Sequence, residues 1–250
     1  YAAQGDGIME FGLRRAQGPD AGLYGARAAV IGGCVGTSNV LAGEMFDVPV
    51  MGTHAHSWIM TFKDEYTAFK EYARLYPDAC TLLVDTYDTL KSGVPNAIRV
   101  FTEMREAGIK PKSYGIRLDS GDLAYLSKKA RKMLDDAGFQ DAVIAASNDL
   151  DEFLIHDLKM QGAAISSWGV GTNLITSKDC PSFGGVYKLA AIQNAEGEFQ
   201  PKIKISENIE KITNPGNKTI YRIYDKETGM LRADLICFAD ETFNTGEDLL

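Results

Sequence analysis

Two histidines one residue apart, His54 and His56, follow the apolar run Val48-Pro49-Val50-Met51. If that run is a strand that continues, both imidazoles project from one face, which is the spacing of a metal-binding H-x-H pair. A barrel hydrolase built on such a pair needs further histidine ligands from later strands, and His156, the third histidine, sits in a helical pattern. The pair can equally be structural, or one imidazole can act alone as nucleophile or acid-base group, suited by a pKa of about 6.5. Asp119-Ser120-Gly121-Asp122 sets two carboxylates around a Ser-Gly turn. That arrangement holds a ribose diol, a Mg2+ ion, or both. Its plainer reading is a helix N-cap by Asp122 or Ser120, and the two are compatible. Gly169-Val170-Gly171-Thr172 after an apolar run is either a turn or a phosphate cradle, since glycines let backbone N–H groups approach an anion. Arg14-Arg15 is a solvated pair or the planar fork that binds a substrate carboxylate.

These residues need elements to position them, and the chain supplies a rhythm of apolar β-type runs that end in polar or glycine residues. Val48 to Met51 leads to Gly52-Thr53-His54-Ala55-His56; Thr81 to Val84 leads to Asp85-Thr86-Tyr87-Asp88. Ser113 to Ile116 leads to Arg117 and Asp119, Ala142 to Ala146 leads to Ser147-Asn148-Asp149, and Ala164 to Ser166 leads to the Gly169 segment. Between them run amphipathic helices. One carries Ile98, Phe101, Met104 and Ala107 and closes at Gly108; the next carries Leu123, Leu126, Ala130, Met133, Leu134 and Ala137 and closes at Gly138. A third starts near Asp151 with Leu154 and Leu158. Continuous apolar strands alternating with helices predict an α/β fold with parallel strands covered by helices. Chemistry then collects at the carboxyl ends of the strands, in a barrel or an open doubly wound sheet alike. After Pro181 the pattern predicts a strand from Val186 to Ile192, a turn at Asn214-Pro215-Gly216-Asn217 and a strand from Thr219 to Tyr224.

Composition bounds the function. The chain has 250 residues, 45% hydrophobic and 24% charged, enough to bury a sizeable core as one domain over residues 1 to 250. A net charge of -8 and a pI near 5.0 argue against nucleic acid and against an anionic membrane, while local arginine clusters leave small anionic substrates open. Four scattered cysteines without a C-x-x-C pair predict thiols in a reducing cytoplasm. Neither a signal peptide nor a run long enough to span a bilayer is legible. A start at Tyr1 and an end at Leu250 without a closing element read as a fragment of a longer chain.

Four segments in register resemble one family: Glu10-Phe11-Gly12-Leu13-Arg14-Arg15-Ala16-Gln17-Gly18-Pro19, Ser38-Asn39-Val40-Leu41-Ala42-Gly43, Gly52-Thr53-His54-Ala55-His56-Ser57, and Arg117 to Asp122. They are similar, in order and spacing, to signatures of the nicotinate phosphoribosyltransferases, from about residue 5 to about residue 195. The resemblance implies an irregular TIM-like α/β barrel, a second domain built from chain ends that are largely missing here, and a homodimer with active sites at the interface. It implies transfer of phosphoribosyl from phosphoribosyl pyrophosphate to nicotinate in NAD biosynthesis, with Mg2+ and with ATP hydrolysis coupled through a phosphohistidine. On that resemblance His56 is the phosphorylated histidine, Asp85 its orienting carboxylate, and Asp119 and Asp122 address ribose and Mg2+. Arg14, with Phe11 and Leu13, meets the pyridine ring; Ser38 and Gly52 belong to the same pocket; Arg117 meets the nicotinate carboxylate or the pyrophosphate. Ser147, Asn148, Gly169, Gly171 and Thr172 hold the 5′-phosphate. Relatives that use nicotinamide carry an Asp within the segment matching Gly36-Thr37-Ser38-Asn39, and the neutral segment here suits a carboxylate. A core that binds phosphoribosyl ligands without turnover and a nicotinamide-using transferase stand as the alternatives.

Overall fold

The computed structural model describes residues 1–182, 184–185, 187–207 and 212–242. Apolar runs and amphipathic segments alternate through the first of two units, Tyr1–Ser182. Its strands are β1 (Gly7–Glu10), β2 (Gly36–Thr37), β3 (Ala79–Leu83), β4 (Ser113–Leu118), β5 (Val143–Ala146) and β6 (Ser167–Val170). Its helices are α1 (Pro19–Ile31), α2 (Val40–Phe46), α3 (His56–Thr61), α4 (Glu65–Leu75), α5 (Val94–Glu106), α6 (Leu123–Asp136), α7 (Glu152–Met160) and the short α8 (Thr172–Ile175). Asp64, Asp122 and Asp151 start α4, α6 and α7 by accepting from the amides of Thr67, Tyr125 and Leu154 at 2.7, 2.9 and 2.8 Å. Past α5 and α6 the chain turns through Gly108 and Gly138 at φ 74° and 82°, a left-handed conformation that ends a helix at low cost only with glycine.

All six strands are parallel, in the order β2-β1-β6-β5-β4-β3. The pairing of β1 with β6, from Gly7 opposite Ser167 to Glu10 opposite Val170, decides between the two parallel architectures. A doubly wound sheet leaves its first and last strands apart, whereas a barrel brings them together. Taken around the curled sheet the order is simply β1 to β6, with one break, between β2 and β3. Leu82, Ile116, Leu118, Ile144 and Trp168 from the strands are buried with Val100, Phe101, Ala130 and Leu134 from α5 and α6, a single core that fixes the carboxyl ends of the strands. The second unit, residues 183–250, contains two antiparallel hairpins among its described residues: β7 (Ala191–Gln193) with β8 (Phe199–Pro201), and β9 (Lys218–Tyr224) with β10 (Leu231–Phe238).

Several expectations are corrected. Val48 to Met51 is not a strand: Val50 makes one bridge to Thr37, and Pro49 has no N–H to extend the ladder. His56 therefore opens α3 instead of continuing a strand, so the two imidazoles do not share one strand face. The strand expected at Ala164 to Ser166 begins at Ser167, and Gly169 lies inside it, where a Cβ would fall 2.7 Å from the Phe11 ring. On α7 the buried positions are Ile155 and Leu158, while Leu154 is exposed. Of the strand expected from Val186 to Ile192 only Ala191–Gln193 forms, and Val186 lies outside the described residues. The strand near Thr219 to Tyr224 is present as β9.

Candidate active site

The polar residues that follow β3, β4 and β5 meet around one carboxylate. Asp85 follows β3 and its side chain is 2% exposed. One of its oxygens stands 3.2 Å from His56 Nε2; the other accepts from the Asp119 amide at 3.0 Å and from the Ser120 hydroxyl at 2.5 Å. A buried carboxylate with three such partners is held in place by charge-assisted hydrogen bonds, and through it the histidine segment and the Asp119-Ser120 turn keep a fixed separation. His56 itself is 39% exposed, and its other ring nitrogen makes no hydrogen bond among the described residues.

Arg117, on β4, is 15% exposed and serves this frame with most of its donors. Its Nε donates to Ser147 Oγ at 2.9 Å, Nη1 donates to Thr53 Oγ1 and to the His54 carbonyl, and Nη2 donates to Asp119 at 3.3 Å. The Ser147 hydroxyl in turn donates to Asp119. His54 points the other way. Its Nε2 accepts from the Leu83 amide at 3.2 Å, so the proton sits on Nδ1, which faces the Ala55 carbonyl at 3.4 Å. Burial holds its pKa down at about 4; the Ala55 carbonyl opposes that shift, and Arg117 and His56 add to it. The Nε2 lone pair is taken by Leu83, which removes the metal-ligand reading of the pair.

A second carboxyl group organises the neighbouring strand ends. Glu10, at the end of β1, is wholly buried. It accepts from the Gly12 amide on one oxygen and from Thr37 Oγ1 at 2.6 Å on the other, while Thr37 Oγ1 accepts from the Asn39 amide at 3.0 Å. Glu10 thereby joins the Phe11 to Arg14 segment to the Gly36 to Asn39 segment. Phe11 lies against Gly169, and Leu13 and Arg14 form an exposed turn of 3-10 helix. Arg14 has no hydrogen bond or ion pair among the described residues. Ser38 donates its amide to the Glu10 carbonyl at 3.0 Å, and Gly52 is exposed.

The residues expected to hold phosphate end β5 and β6. Ser147 has its hydroxyl engaged between Arg117 and Asp119, whereas Asn148 is exposed at φ 89°, a backbone conformation that non-glycine residues adopt at a cost. Gly171 precedes α8 and Thr172 opens it; Gly169 lies beneath, spaced for Phe11. Asp122 is exposed and caps α6 with one oxygen. The sequence reading missed the parts played by Glu10, Thr53 and Ser120. For Glu10 the available signal was a carboxylate closing the run Gly7-Ile8-Met9.

The chain matches the model of the nicotinate phosphoribosyltransferase (NAPRTase) family over residues 7–228. It is 57% identical to a nicotinate phosphoribosyltransferase of Bacillus subtilis, over 94% of this chain and 47% of the relative. It is 42% identical to one of Dictyostelium discoideum, over 88% of this chain and 44% of the relative. In structure it is similar to human nicotinic acid phosphoribosyltransferase, with a TM-score of 0.66 at 29% identity, covering 97% of this chain and 54% of that one. The chain thus spans about half the length of the curated relatives it matches. With 222 consecutive positions matched and the same barrel found in a solved member, the chain belongs to the nicotinate phosphoribosyltransferase family.

Proposed function

We propose that the protein containing this chain transfers the phosphoribosyl group of phosphoribosyl pyrophosphate to the ring nitrogen of nicotinate, giving nicotinate mononucleotide and pyrophosphate, with ATP hydrolysis coupled through a phosphorylated His56. The observation that carries this reading is the Asp85 carboxylate, which ties His56 to the Asp119-Ser120 turn at one barrel mouth. With Nε2–H directed at Asp85, the nucleophilic lone pair of His56 lies on Nδ1. Nδ1 attacks the γ-phosphorus of ATP, a P–N bond forms as the P–O bond to ADP breaks, ADP leaves, and Asp85 stabilises the positive ring; water later cleaves the P–N bond, releasing inorganic phosphate and returning the free histidine.

At the sugar carbon the transition state resembles an oxocarbenium ion with charge growing on the departing pyrophosphate, so the protein acts by positioning and charge stabilisation. Arg117 retains one Nη2–H beyond its internal partners for an anionic group of the substrate. Asp119 and Asp122 each keep one carboxylate oxygen without a protein partner among the described residues, a donor set that fits Mg2+. Mg2+ bound there would neutralise pyrophosphate charge. Asn148, Gly171 and Thr172, above Ser147 and Gly169, take the 5′-phosphate. Arg14 takes the nicotinate carboxylate, with Phe11 and Leu13 against the ring and Ser38 and Gly52 at the edge of the pocket. The neutral Gly36 to Asn39 segment beside it favours the acid over the amide.

On the same reading we propose that the protein works in the cytoplasm as a homodimer. Support for the compartment is that all four cysteines are free thiols, and that no helix among the described residues is long and apolar enough to cross a membrane. The test is mononucleotide formation from nicotinate and from nicotinamide, each with and without ATP, beside His56→Ala. Consumption of nicotinate alone, stimulated by ATP only when His56 is present, is the expected result. Ligand binding without pyrophosphate release would favour a core that binds but does not turn over, and preference for nicotinamide would overturn the acid specificity.

A further inference from the structure

The barrel is broken once, between β2 and β3, and the residues beside the break show what crosses it. On the β2 side the crossing is main chain. Thr37 donates its amide to the Pro49 carbonyl and accepts from the Met51 amide, both at 2.9 Å, so residues 49–51 are laid along that edge. On the β3 side, the Val84 amide donates to the Arg117 carbonyl at 3.2 Å and so faces β4. Alternation along a parallel strand then turns the preceding amide, Leu83 N–H, toward the break. Among the described residues no main-chain hydrogen bond joins 52–55 to β3; Leu83 N–H is met by His54 Nε2 at 3.2 Å. A ring nitrogen stands where a neighbouring strand would offer a carbonyl.

We propose that His54 is the positioning residue that closes the barrel between β2 and β3, and that this closure sets Thr53 and His56 against Arg117 and Asp85. His54 is 8% exposed and its ring is fixed by α4, with Tyr72 edge-on at 4.5 Å and Phe69 at 6.2 Å between centroids. Nδ1–H faces the Ala55 carbonyl, so both ring nitrogens are oriented. The same stretch of chain faces the site through a side chain and a carbonyl. Thr53 Oγ1 and the His54 carbonyl accept from Arg117, and two residues later His56 meets Asp85. Asp85 itself lies two residues after Leu83. The two partners of the His56–Asp85 pair thus arrive from opposite sides of the break, and the bond from Leu83 to His54 ties those sides together. Without an acceptor at position 54, Leu83 N–H is left buried and unpaired, and the separation of His56 and Asp85 is free to drift. A misplacement of about 1 Å costs on the order of 100-fold in rate.

The kinetic part of this inference rests on the phosphoribosyl-transfer reading; the structural part does not. Two variants separate acceptor from bulk. His54→Gln places an amide oxygen at the reach of Nε2, and His54→Leu fills the space without an acceptor. In the isotopically labelled chain at neutral pH, nitrogen NMR is expected to show His54 with Nε2 unprotonated and Nδ1 protonated. Hydrogen exchange at Leu83 N–H is expected to be slow in the wild type and in His54→Gln, and fast in His54→Leu. In the whole enzyme, His54→Leu is expected to lower the ATP-stimulated kcat about 10- to 100-fold with little change in KM for nicotinate, and His54→Gln to restore most of it. A proton on Nε2, or equal Leu83 exchange in the two variants, overturns the closure. Equal kcat in the two variants overturns its link to His56. If His54→Leu does not fold, the wild-type tautomer and the His54→Gln exchange rate still decide. A wild type that makes no mononucleotide counts against the transferase reading alone, because the tautomer and exchange measurements need no turnover.

Discussion

Glu10 offers the sharpest test of how the site is held together. Its carboxyl group is wholly buried and serves two donors, the Gly12 amide and the Thr37 hydroxyl. Truncation to Ala strands both. A buried donor without an acceptor costs about 1–3 kcal/mol, so Glu10→Ala is expected to destabilise the first unit by about 4 kcal/mol. Glu10→Gln keeps the volume and an oxygen for Gly12, but its NH2 turns the Thr37 hydroxyl into an acceptor. Thr37 Oγ1 already accepts from the Asn39 amide, so its hydrogen is left over, at about 1–2 kcal/mol. Thr37→Val alone leaves a carboxyl oxygen of Glu10 bare, and adding Glu10→Gln then exchanges that costly unpaired carboxylate oxygen for a less costly neutral amide group. The double variant is therefore expected to cost about 1 kcal/mol less than the sum of the singles. Urea unfolding followed by tryptophan fluorescence reads this directly, because both tryptophans, Trp58 and Trp168, lie in the first unit. Strict additivity, or Glu10→Gln as costly as Glu10→Ala, would refute the account of Glu10 as a two-donor clasp.

Two further outcomes are expected. His54 is held at about 4 against an ordinary 6.5 by burial, aided by Arg117 from β4 and His56 on its own segment, with the Tyr72 phenol facing it from α4. A folded-state pKa below the unfolded one means the contribution is complete above pH 6.5 and is lost as pH falls toward 4. Wild type should therefore lose about 3 kcal/mol of stability relative to the non-titrating His54→Gln from pH 7 to pH 4, and urea midpoints that run parallel across that range would contradict it. Arg117→Lys cannot span Ser147, Thr53 and Asp119 with one ammonium; a loss of about 100-fold in kcat/KM is expected in steady-state assays of the whole enzyme, with destabilisation of about 3 kcal/mol.

Much of this was legible because parallel α/β proteins write their sites at strand ends. The runs before Asp85, Arg117 and Ser147 became β3, β4 and β5 with the polar residues at their carboxyl ends, and Asp122 and Asp151 are N-caps as their positions before apolar segments imply. What was not legible depended on contacts distant in sequence. Pattern alone could not choose between a barrel and an open sheet, because the deciding pair, β1 with β6, joins residues about 160 positions apart. Val48 to Met51 carries strand composition yet makes one bridge, since its surroundings offer a single edge and Pro49 lacks a donor. Likewise spacing alone does not separate His54 from His56; the family resemblance singles out His56, and the role of His54 is visible only in its bond to the Leu83 amide, far from it in sequence.

The same pairing of β1 with β6 has a consequence for biosynthesis. At a ribosomal rate of about 5–20 residues per second, β6 is made roughly 10–30 s after β1. Through that interval β1, with the apolar Ile8 and Met9, has no β6 to pair with, and the last closure brings together segments of very high sequence separation. The nascent chain should therefore be most vulnerable to aggregation and most dependent on chaperones just before residues 167–170 emerge, and stalled chains ending short of them should bind hydrophobic dyes that chains ending beyond them do not.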